Sequence, residues 1–367
     1  MASSSRKKLS TIGKGVKRGG LMVKLDFEKA YDSVDHKFLD NMLCDMDFGR
    51  KWREWIRNCI SSPGLSVLVN GSPTFDFGME RGFRQGDPLS PFLFNVVVEG
   101  LSAIFKKAEC LGMMKGVSFG EEDISVTHLQ FADDTMLFLQ PKEEYLVNAR
   151  RILSCFKVAS GLKINFSKSC VVKIGLGGSR EVNWAALFRC ASGTLPITYL
   201  GLPLGGRPCS KLFWNDLVCR MENWMDPWKK LFLNKGGRLV LIKAVMASIP
   251  IYFMSIFKVP VGVASRIEKL QRSFFWGDGQ EKRKIHMINW DSLRKSKERG
   301  GLGIGSILDK NKGLLAKWLW RFGKEVLLLW KRVICAKYRV PLKSLCWDWN
   351  GGASSSYFVK AVGSVLE

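Results

Sequence analysis

No CxxC pair occurs anywhere in the chain, and its histidines number only three, His36, His128 and His286. The ten cysteines are scattered, so neither a zinc knuckle nor a disulfide framework has the spacing it needs, and reduced thiols are expected. No uninterrupted apolar run reaches the roughly 20 residues of a membrane span. The longest stretch, around Ala244 to Phe257, is broken by Pro250 and flanked by Lys243 and Lys258. It reads as core, and no membrane partner is expected. Acidic residues are scarce: 33 Asp and Glu face 57 Lys and Arg, a formal charge of +24. That balance disfavours basic or neutral partners and favours a polyanion, with nucleic acid first. The first twenty residues contain no acid at all and are rich in Ser and Gly. They match a disordered basic tail and, superficially, a transit peptide, although they lack an amphipathic apolar face.

What is present is enough for folding. A hydrophobic content of 46% over 367 residues supports one large core or two to three smaller ones. Leu21, Met22, Val23 and Leu25 form a short apolar run that reads as a buried strand ending on Asp26. From about Asp35 to Ser61 apolar residues recur at helical spacing, with Gly49 dividing two helices. Ser66 to Val69 leads into Asn70-Gly71, a turn dipeptide, with Phe75 and Phe77 beyond it, and predicts a hairpin. The loop RGFRQGDPLSPFLFN, Arg81 to Asn95, opens a helix running to about Cys110, with Ser90 as its expected cap and Pro91 in its first turn. Val126 to Leu139 predicts a hairpin with Asp133-Asp134 at its tip. A helix from about Glu143 to Ala159 should stop at Ser160-Gly161, and Val171 to Ile174 reads as a further strand.

The first half is thus mixed α and β. Beyond Gly205 helical segments dominate, and eleven of the thirteen tryptophans lie from Trp184 onward. The cluster GGLGIG, Gly300 to Gly305, reads as a turn in preference to a phosphate loop, because no convincing strand precedes it. The run from Lys282 to Arg299 is basic and includes Trp290, which suggests backbone contact with base stacking. Trp318 and Phe322, at helical spacing, suggest core.

Asp26, Asp133 and Asp134 sit at the ends or tips of apolar strands. Adjacent strands can gather such acids, and clustered carboxylates call for a cation, since unpaired buried charges cost several kcal/mol. Hard oxygen ligands suit magnesium, and two ions about 4 Å apart serve phosphoryl transfer. From these residues alone, a two-metal nucleotidyl transferase and a set of surface turn acids remain equal alternatives.

LDFEKAYDSVDHKFLD, RGFRQGDPLSPFLFN, QFADDTMLFL, SGLKINFSKS and ITYLGLPLG occur in the order of motifs A to E of reverse transcriptases from LINE-type, non-LTR retrotransposons. The chain resembles that family over roughly Leu21 to Gly205. The string NKGGRLVLIKAVMASIPIYF continues the match, and FFWGDGQ and KERGGLGIGS resemble the region after the thumb in plant-type copies. The resemblance implies an α+β fold: a reverse-transcriptase palm, built as an antiparallel sheet with packed helices, then a helical thumb and a mostly helical C-terminal region. The implied boundaries are a tail at 1–20, palm at 21–205, thumb at 206–262 and a basic, Trp-rich region at 263–367. The implied activity is RNA-directed DNA polymerisation on an RNA template and DNA primer with deoxynucleoside triphosphates. It would use two Mg2+ or Mn2+ ions, and the nucleus is the expected location. A non-catalytic nucleic-acid-binding remnant of such an element is the alternative, and a group II intron maturase fits the strings after the palm less well.

Carried over by position, the resemblance makes Asp26 and Asp133 the metal-bridging carboxylates, with Asp134 beside them and the Phe27 carbonyl as a further ligand. Tyr31 matches the aromatic that floors the sugar pocket and excludes a 2′-hydroxyl; alone, it would read as core packing. Gln85 and Gly86 match residues lining nucleotide and template, and Arg81 and Arg84 add charge facing phosphate. Lys168 matches a proton donor to pyrophosphate, with a solvated surface lysine as the other reading. Tyr199, Leu200 and Gly201 match the hairpin that grips the primer end. The family's fingers should precede motif A, where this chain has twenty residues, and no endonuclease string is found. Little or no polymerase activity is therefore expected of this chain alone.

Overall fold

The computed structural model describes residues 19–61, 64, 66–75, 77–119, 124–176, 183–229, 233–277, 286–325, 327–338, 340–342 and 357–363. The basic tail up to residue 18, Lys282 to Lys284 of the basic run, and Trp347 and Trp349 lie outside the described residues. The chain divides into two compact units between Leu200 and Gly201.

In the first unit, β1 (Gly20–Leu25) leads through Asp26 to β2 (Phe27–Glu28), α1 (Ala30–Ser33), α2 (His36–Asp45) and α3 (Arg50–Ser61). A small hairpin of β3 (Leu68–Val69) and β4 (Ser72–Pro73) precedes α4 (Ser90–Cys110). There follow β5 (Val117–Phe119), β6 (Ile124–Val126), β7 (His128–Phe131), β8 (Asp134–Leu139), α5 (Glu143–Ser160), β9 (Lys163–Ile164), β10 (Cys170–Ile174), α6 (Trp184–Phe188), β11 (Ala191–Gly193) and β12 (Ile197–Tyr199). The main sheet has the order β11-β10-β1-β8-β7. β1 is central and antiparallel to both neighbours, Leu21 facing Lys173 on one side and Leu139 on the other.

Its composition explains that position. Leu21, Met22, Val23 and Leu25 are all buried, and a strand covered on both faces reads as a continuous apolar run instead of an alternating one. One core joins this strand to Phe94, Leu101 and Phe105 of α4 and to Leu146, Leu153 and Phe156 of α5.

Local chemistry sets the element ends. The Asp35 carboxylate accepts the N–H groups of Lys37 and Phe38 and caps α2. Gly161, at φ 81°, ends α5. Asn70 and Gly71 both take positive φ in the β3–β4 turn, as their dipeptide predicts. Two expectations are corrected. Ser90 does not cap α4: it is the first helical residue, buried, and its hydroxyl donates to the Arg84 carbonyl, while the Asp87 carboxylate accepts the Leu89 N–H. The tip of the acidic hairpin is Ala132-Asp133, because Phe131 pairs with Asp134, which begins β8. Strand pairing, invisible in a run of apolar residues, moved the turn by one position.

The second unit has a core of its own. It contains β13 (Leu202–Leu204), α7 (Lys211–Lys229), α8 (Lys235–Leu241), a π-helical turn at Ile242–Met246, α9 (Ile251–Met254), α10 (Val261–Trp276), α11 (Trp290–Arg294), α12 (Ile307–Lys324), α13 (Leu329–Tyr338) and α14 (Tyr357–Gly363). Trp214, Met221, Ile242, Met254, Ile267 and Phe274 form the centre of its main core. A satellite core gathers Phe322 with Trp318, as their helical spacing predicts, and with Trp330 of α13. Trp290 is a correction: it is buried beside Phe275 and is not a platform for base stacking. Residues 300–305 do form a turn, with Gly300, Gly303 and Gly305 at positive φ. Among the described residues no helix is long and apolar enough to cross a membrane.

Candidate active site

The carboxylates expected to act together come from neighbouring strands. β1 and β8 run antiparallel with Leu25 opposite Thr135, so one step further the same register sets Asp26 against Asp134. Asp133 stands exposed in the two-residue turn before β8. Ala132, its turn partner, takes φ 51°, in the left-handed region that costs a residue with a Cβ about 1 kcal/mol or more. Strain of this kind at the tip of an acidic hairpin is a mark of functional sites.

The charges feel one another. The Asp134 carboxyl is held above its ordinary range, first by burial, then by the Asp133 carboxylate, with Asp26 adding to the rise and Lys24 opposing it. Burial also pushes the Tyr31 phenol up, and Asp133 adds to that shift. Tyr31 and Asp133 therefore lie within electrostatic reach. The Tyr31 ring stacks on Phe94, 4.7 Å between centroids at 24°, which fixes it from below.

The backbone of Asp26 is held by a segment whose role sequence reading missed. Its N–H donates to the Ser169 hydroxyl at 3.2 Å, and its carbonyl accepts the Asn165 N–H at 2.7 Å. Ser169 is fully buried and its hydroxyl in turn donates to the Asn165 carbonyl at 2.8 Å. The alternation of short polar residues Asn165, Ser167 and Ser169 behind β9 was the available signal, but nothing local tied it to Asp26. Because Asp26 and Asn165 make that ladder bond, Phe27 and Ile164 form the non-hydrogen-bonded pair of β2 and β9. The Phe27 carbonyl consequently points away from β9.

The loop before α4 is stitched to the segment after Asp26. Gly82 donates to the Val34 carbonyl and Phe83 to the Tyr31 carbonyl, each at 2.7 Å. A Cβ on Gly82, at φ 80°, would stand 2.6 Å from the Asp32 carbonyl oxygen, so glycine is required there. The Gln85 side-chain amide donates to the Asp32 carboxylate at 3.0 Å. Gly86, at φ 89°, has open space around it. Arg84 is exposed, and Arg81 is exposed and ion-paired at 3.9 Å with Asp35. Lys168 is exposed in the turn after Asn165, which anchors its N–H. Tyr199 closes β12 half-buried, and Leu200 and Gly201, at φ 48° and 75°, have the paired positive angles of a two-residue turn.

Asp26, Asp133, Asp134, Phe27 and Tyr31 are thus brought to one end of the sheet, with the Gln85 loop bonded to the same segment. As a metal site this donor set is open: among the described residues no group of three or more His, Cys, Asp or Glu is gathered to hold an ion. Magnesium in general is held by one or two carboxylates together with waters and substrate phosphates, in preference to an all-protein cage.

With this geometry in hand, the relatives can be compared. A family profile described as reverse transcriptase (RNA-dependent DNA polymerase) matches residues 5–204. The uncharacterized 149 kDa protein of transposon TX1 from Xenopus laevis is 30% identical over 69% of the chain and 19% of its own length. A Pol polyprotein from the type-1 retrotransposable element R2 of Popillia japonica is 32% identical over 60% of the chain and 31% of its own length. Among solved structures, a telomerase of Candida tropicalis aligns over 93% of the chain and 52% of its own, at 14% identity and a TM-score of 0.39. The chain spans about a fifth to a third of the length of the curated relatives it matches.

Proposed function

The chain belongs to the reverse transcriptase (RNA-dependent DNA polymerase) family, and from that premise we propose that it carries the palm of a non-LTR retrotransposon polymerase, adding deoxynucleotides to a DNA primer on an RNA template. What supports this reading is the register of β1 on β8, whose last pair, Leu25 with Thr135, adjoins Asp26 and Asp134, with Asp133 in the neighbouring turn.

The family works with divalent metal. In this proposal Asp26, Asp133 and the Phe27 carbonyl hold two Mg2+ or Mn2+ ions, with Asp134 beside them. Bound ions would activate the primer hydroxyl and steady the leaving phosphate oxygens. The chain's own groups do the positioning. Tyr31, braced on Phe94, floors the sugar pocket and excludes a 2′-hydroxyl. Gln85, held by Asp32, and Gly86 face the nucleotide and template. Arg84 and Arg81 supply positive charge to the triphosphate, since an exposed ion pair such as Arg81–Asp35 holds its partners weakly. Lys168 donates a proton to departing pyrophosphate, and Tyr199, Leu200 and Gly201 grip the primer end. Residues 21–205 act as palm, 206–262 as thumb and 263–367 as a basic accessory region.

A second reading, nucleic-acid binding without catalysis on a retained palm scaffold, is supported by the formal charge of +24. Manganese uptake by the purified chain separates the two. The polymerase reading expects Mn2+ binding that Asp26→Asn and Asp133→Asn abolish; primer extension on RNA by this chain alone should be little or none, and metal-dependent extension that disappears in Asp133→Asn would overturn that expectation. Nucleic-acid binding indifferent to chelation, with no metal uptake, would favour the binder.

A further inference from the structure

The turn at residues 300–305 has drawn three lysines around it without drawing an acid. A Cβ built on Gly303 would lie 3.5 Å from the Lys243 ammonium and 3.9 Å from the Lys297 Cγ. One built on Gly305 would lie 3.1 Å from the Lys310 Cε and 3.8 Å from its ammonium. The lysines come from three different elements of the second unit: the π-helical turn, the segment before the glycines and α12. Lys310 is half-buried and donates to the Ile304 carbonyl at 2.7 Å.

Like charges do not gather in this way unless something else compensates them. The Lys310 ammonium is held below its ordinary range, by burial first and by the Lys243 charge second. The two cations therefore repel each other, and no carboxylate is among the groups that relieve them. The nearby acids are otherwise engaged: Arg294 takes Glu268 at 2.7 Å and Asp291 at 3.4 Å. Glu298 and Asp309, next to Lys297 and Lys310 in sequence, make no ion pair with the three lysines among the described residues.

The turn backbone does not act as a phosphate cradle, because the Gly303 and Gly305 N–H groups are already given to the Lys295 and Arg294 carbonyls. What the glycines provide is room. Both hold positive φ, and with no Cβ they let the Lys243 ammonium and the stems of Lys297 and Lys310 approach the backbone. The result is a concentration of ammonium groups with no carboxylate partner among the described residues, Lys310 having only the Ile304 carbonyl, and lysine is a point-charge phosphate binder.

We propose that Lys243, Lys297 and Lys310, arranged over the 300–305 turn, bind backbone phosphates of a nucleic-acid strand, reading charge and not sequence. The choice of nucleic acid as the polyanion rests on the function proposed above; the anion site itself rests on the lysine geometry. Phosphate at this position would replace the Lys243–Lys310 repulsion with attraction.

The test is fluorescence anisotropy of the full chain with a labelled single-stranded RNA and a DNA of matching sequence, in chelator, across a salt series. Lys243→Gln/Lys310→Gln and the exposed single variant Lys297→Gln are compared with the unaltered chain, and thermal melting checks that each remains folded. The expected result is a several-fold loss of affinity, equal for RNA and DNA, with the log-log salt slope shallower by about 0.7 for each lost phosphate contact. Unchanged affinity and slope in both folded variants would overturn the proposal, as would a loss confined to one sugar type. If the double variant unfolds, the outcome for Lys297→Gln decides. The chelator keeps the polymerase reading separate: absent Mn2+ uptake in a metal titration with intact lysine dependence defeats that reading alone, and Mn2+ uptake lost in Asp133→Asn without lysine dependence defeats this one alone.

Discussion

An aspartate that shares a strand end with two others resists ionisation. Asp134 is such a residue, its carboxyl raised by burial and by the Asp133 and Asp26 charges. The folded protein thus binds a proton there more tightly than the unfolded chain does, so this group's contribution lowers stability as pH rises through its unfolded value towards its folded one, and the loss persists above both. Asp134→Asn should therefore melt slightly higher than the unaltered chain at neutral pH without metal, with the advantage gone below the unfolded carboxylate value. Differential scanning calorimetry at both pH values checks this, and a lower melting point at neutral pH would mean that the acids are compensated. Ser169 makes the opposite case. Its buried hydroxyl serves both the Asp26 N–H and the Asn165 carbonyl, so Ser169→Ala should cost about 1–2 kcal/mol in urea unfolding. It should also loosen Mn2+ uptake.

Elements here are joined by backbone contacts that tolerate no side chain. The loop entering α4 lies so close to α1 that a Cβ on Gly82 would press on the Asp32 carbonyl at 2.6 Å while the residue holds φ 80°. Gly82→Ala is expected to destabilise the first unit by about 1–3 kcal/mol, from strain and displacement together. Detaching the loop would also free the Gln85 amide from Asp32, so nucleotide binding should weaken more than stability alone accounts for. Guanidinium melts and nucleotide titrations on one preparation measure both quantities. In the second unit Gly305→Ala faces a flexible lysine stem and not backbone, so only the positive φ opposes it, and the cost should be smaller.

At the scale of the molecule, each unit has its own core: Leu21 to Phe188 in one, Leu202 to Ile307 with a satellite around Phe322 in the other. Tryptophan is concentrated in the second unit, whereas helix is present in both. Unfolding followed by tryptophan fluorescence and by far-ultraviolet circular dichroism should accordingly give transitions that do not coincide. Trp214, fully buried, reports on the second core. Trp214→Ala should shift the fluorescence transition by about 3–5 kcal/mol and leave Mn2+ uptake in the first unit unaltered. A single shared shift in both probes would show that the units unfold together.

Sequence alone determined the central strand, because Leu21 to Leu25 is apolar on both faces and only a covered strand suits that pattern. It determined the helices around Gly49, the stop at Gly161 and the Asn70-Gly71 turn, where the chemistry is local to a few residues. The ordered strings from Asp26 to Gly201 also sufficed for the family. Tertiary structure decided what depends on distant partners. Pairing of β7 with β8 put Ala132-Asp133 and not Asp133-Asp134 in the turn, since register is a property of two strands and not of one. Burial took Trp290 out of contact with solvent, which its basic neighbours gave no sign of. The hold of Ser169 on Asp26, and of Gln85 on Asp32, joins residues 143 and 53 positions apart, and only folding brings such groups within hydrogen-bonding distance.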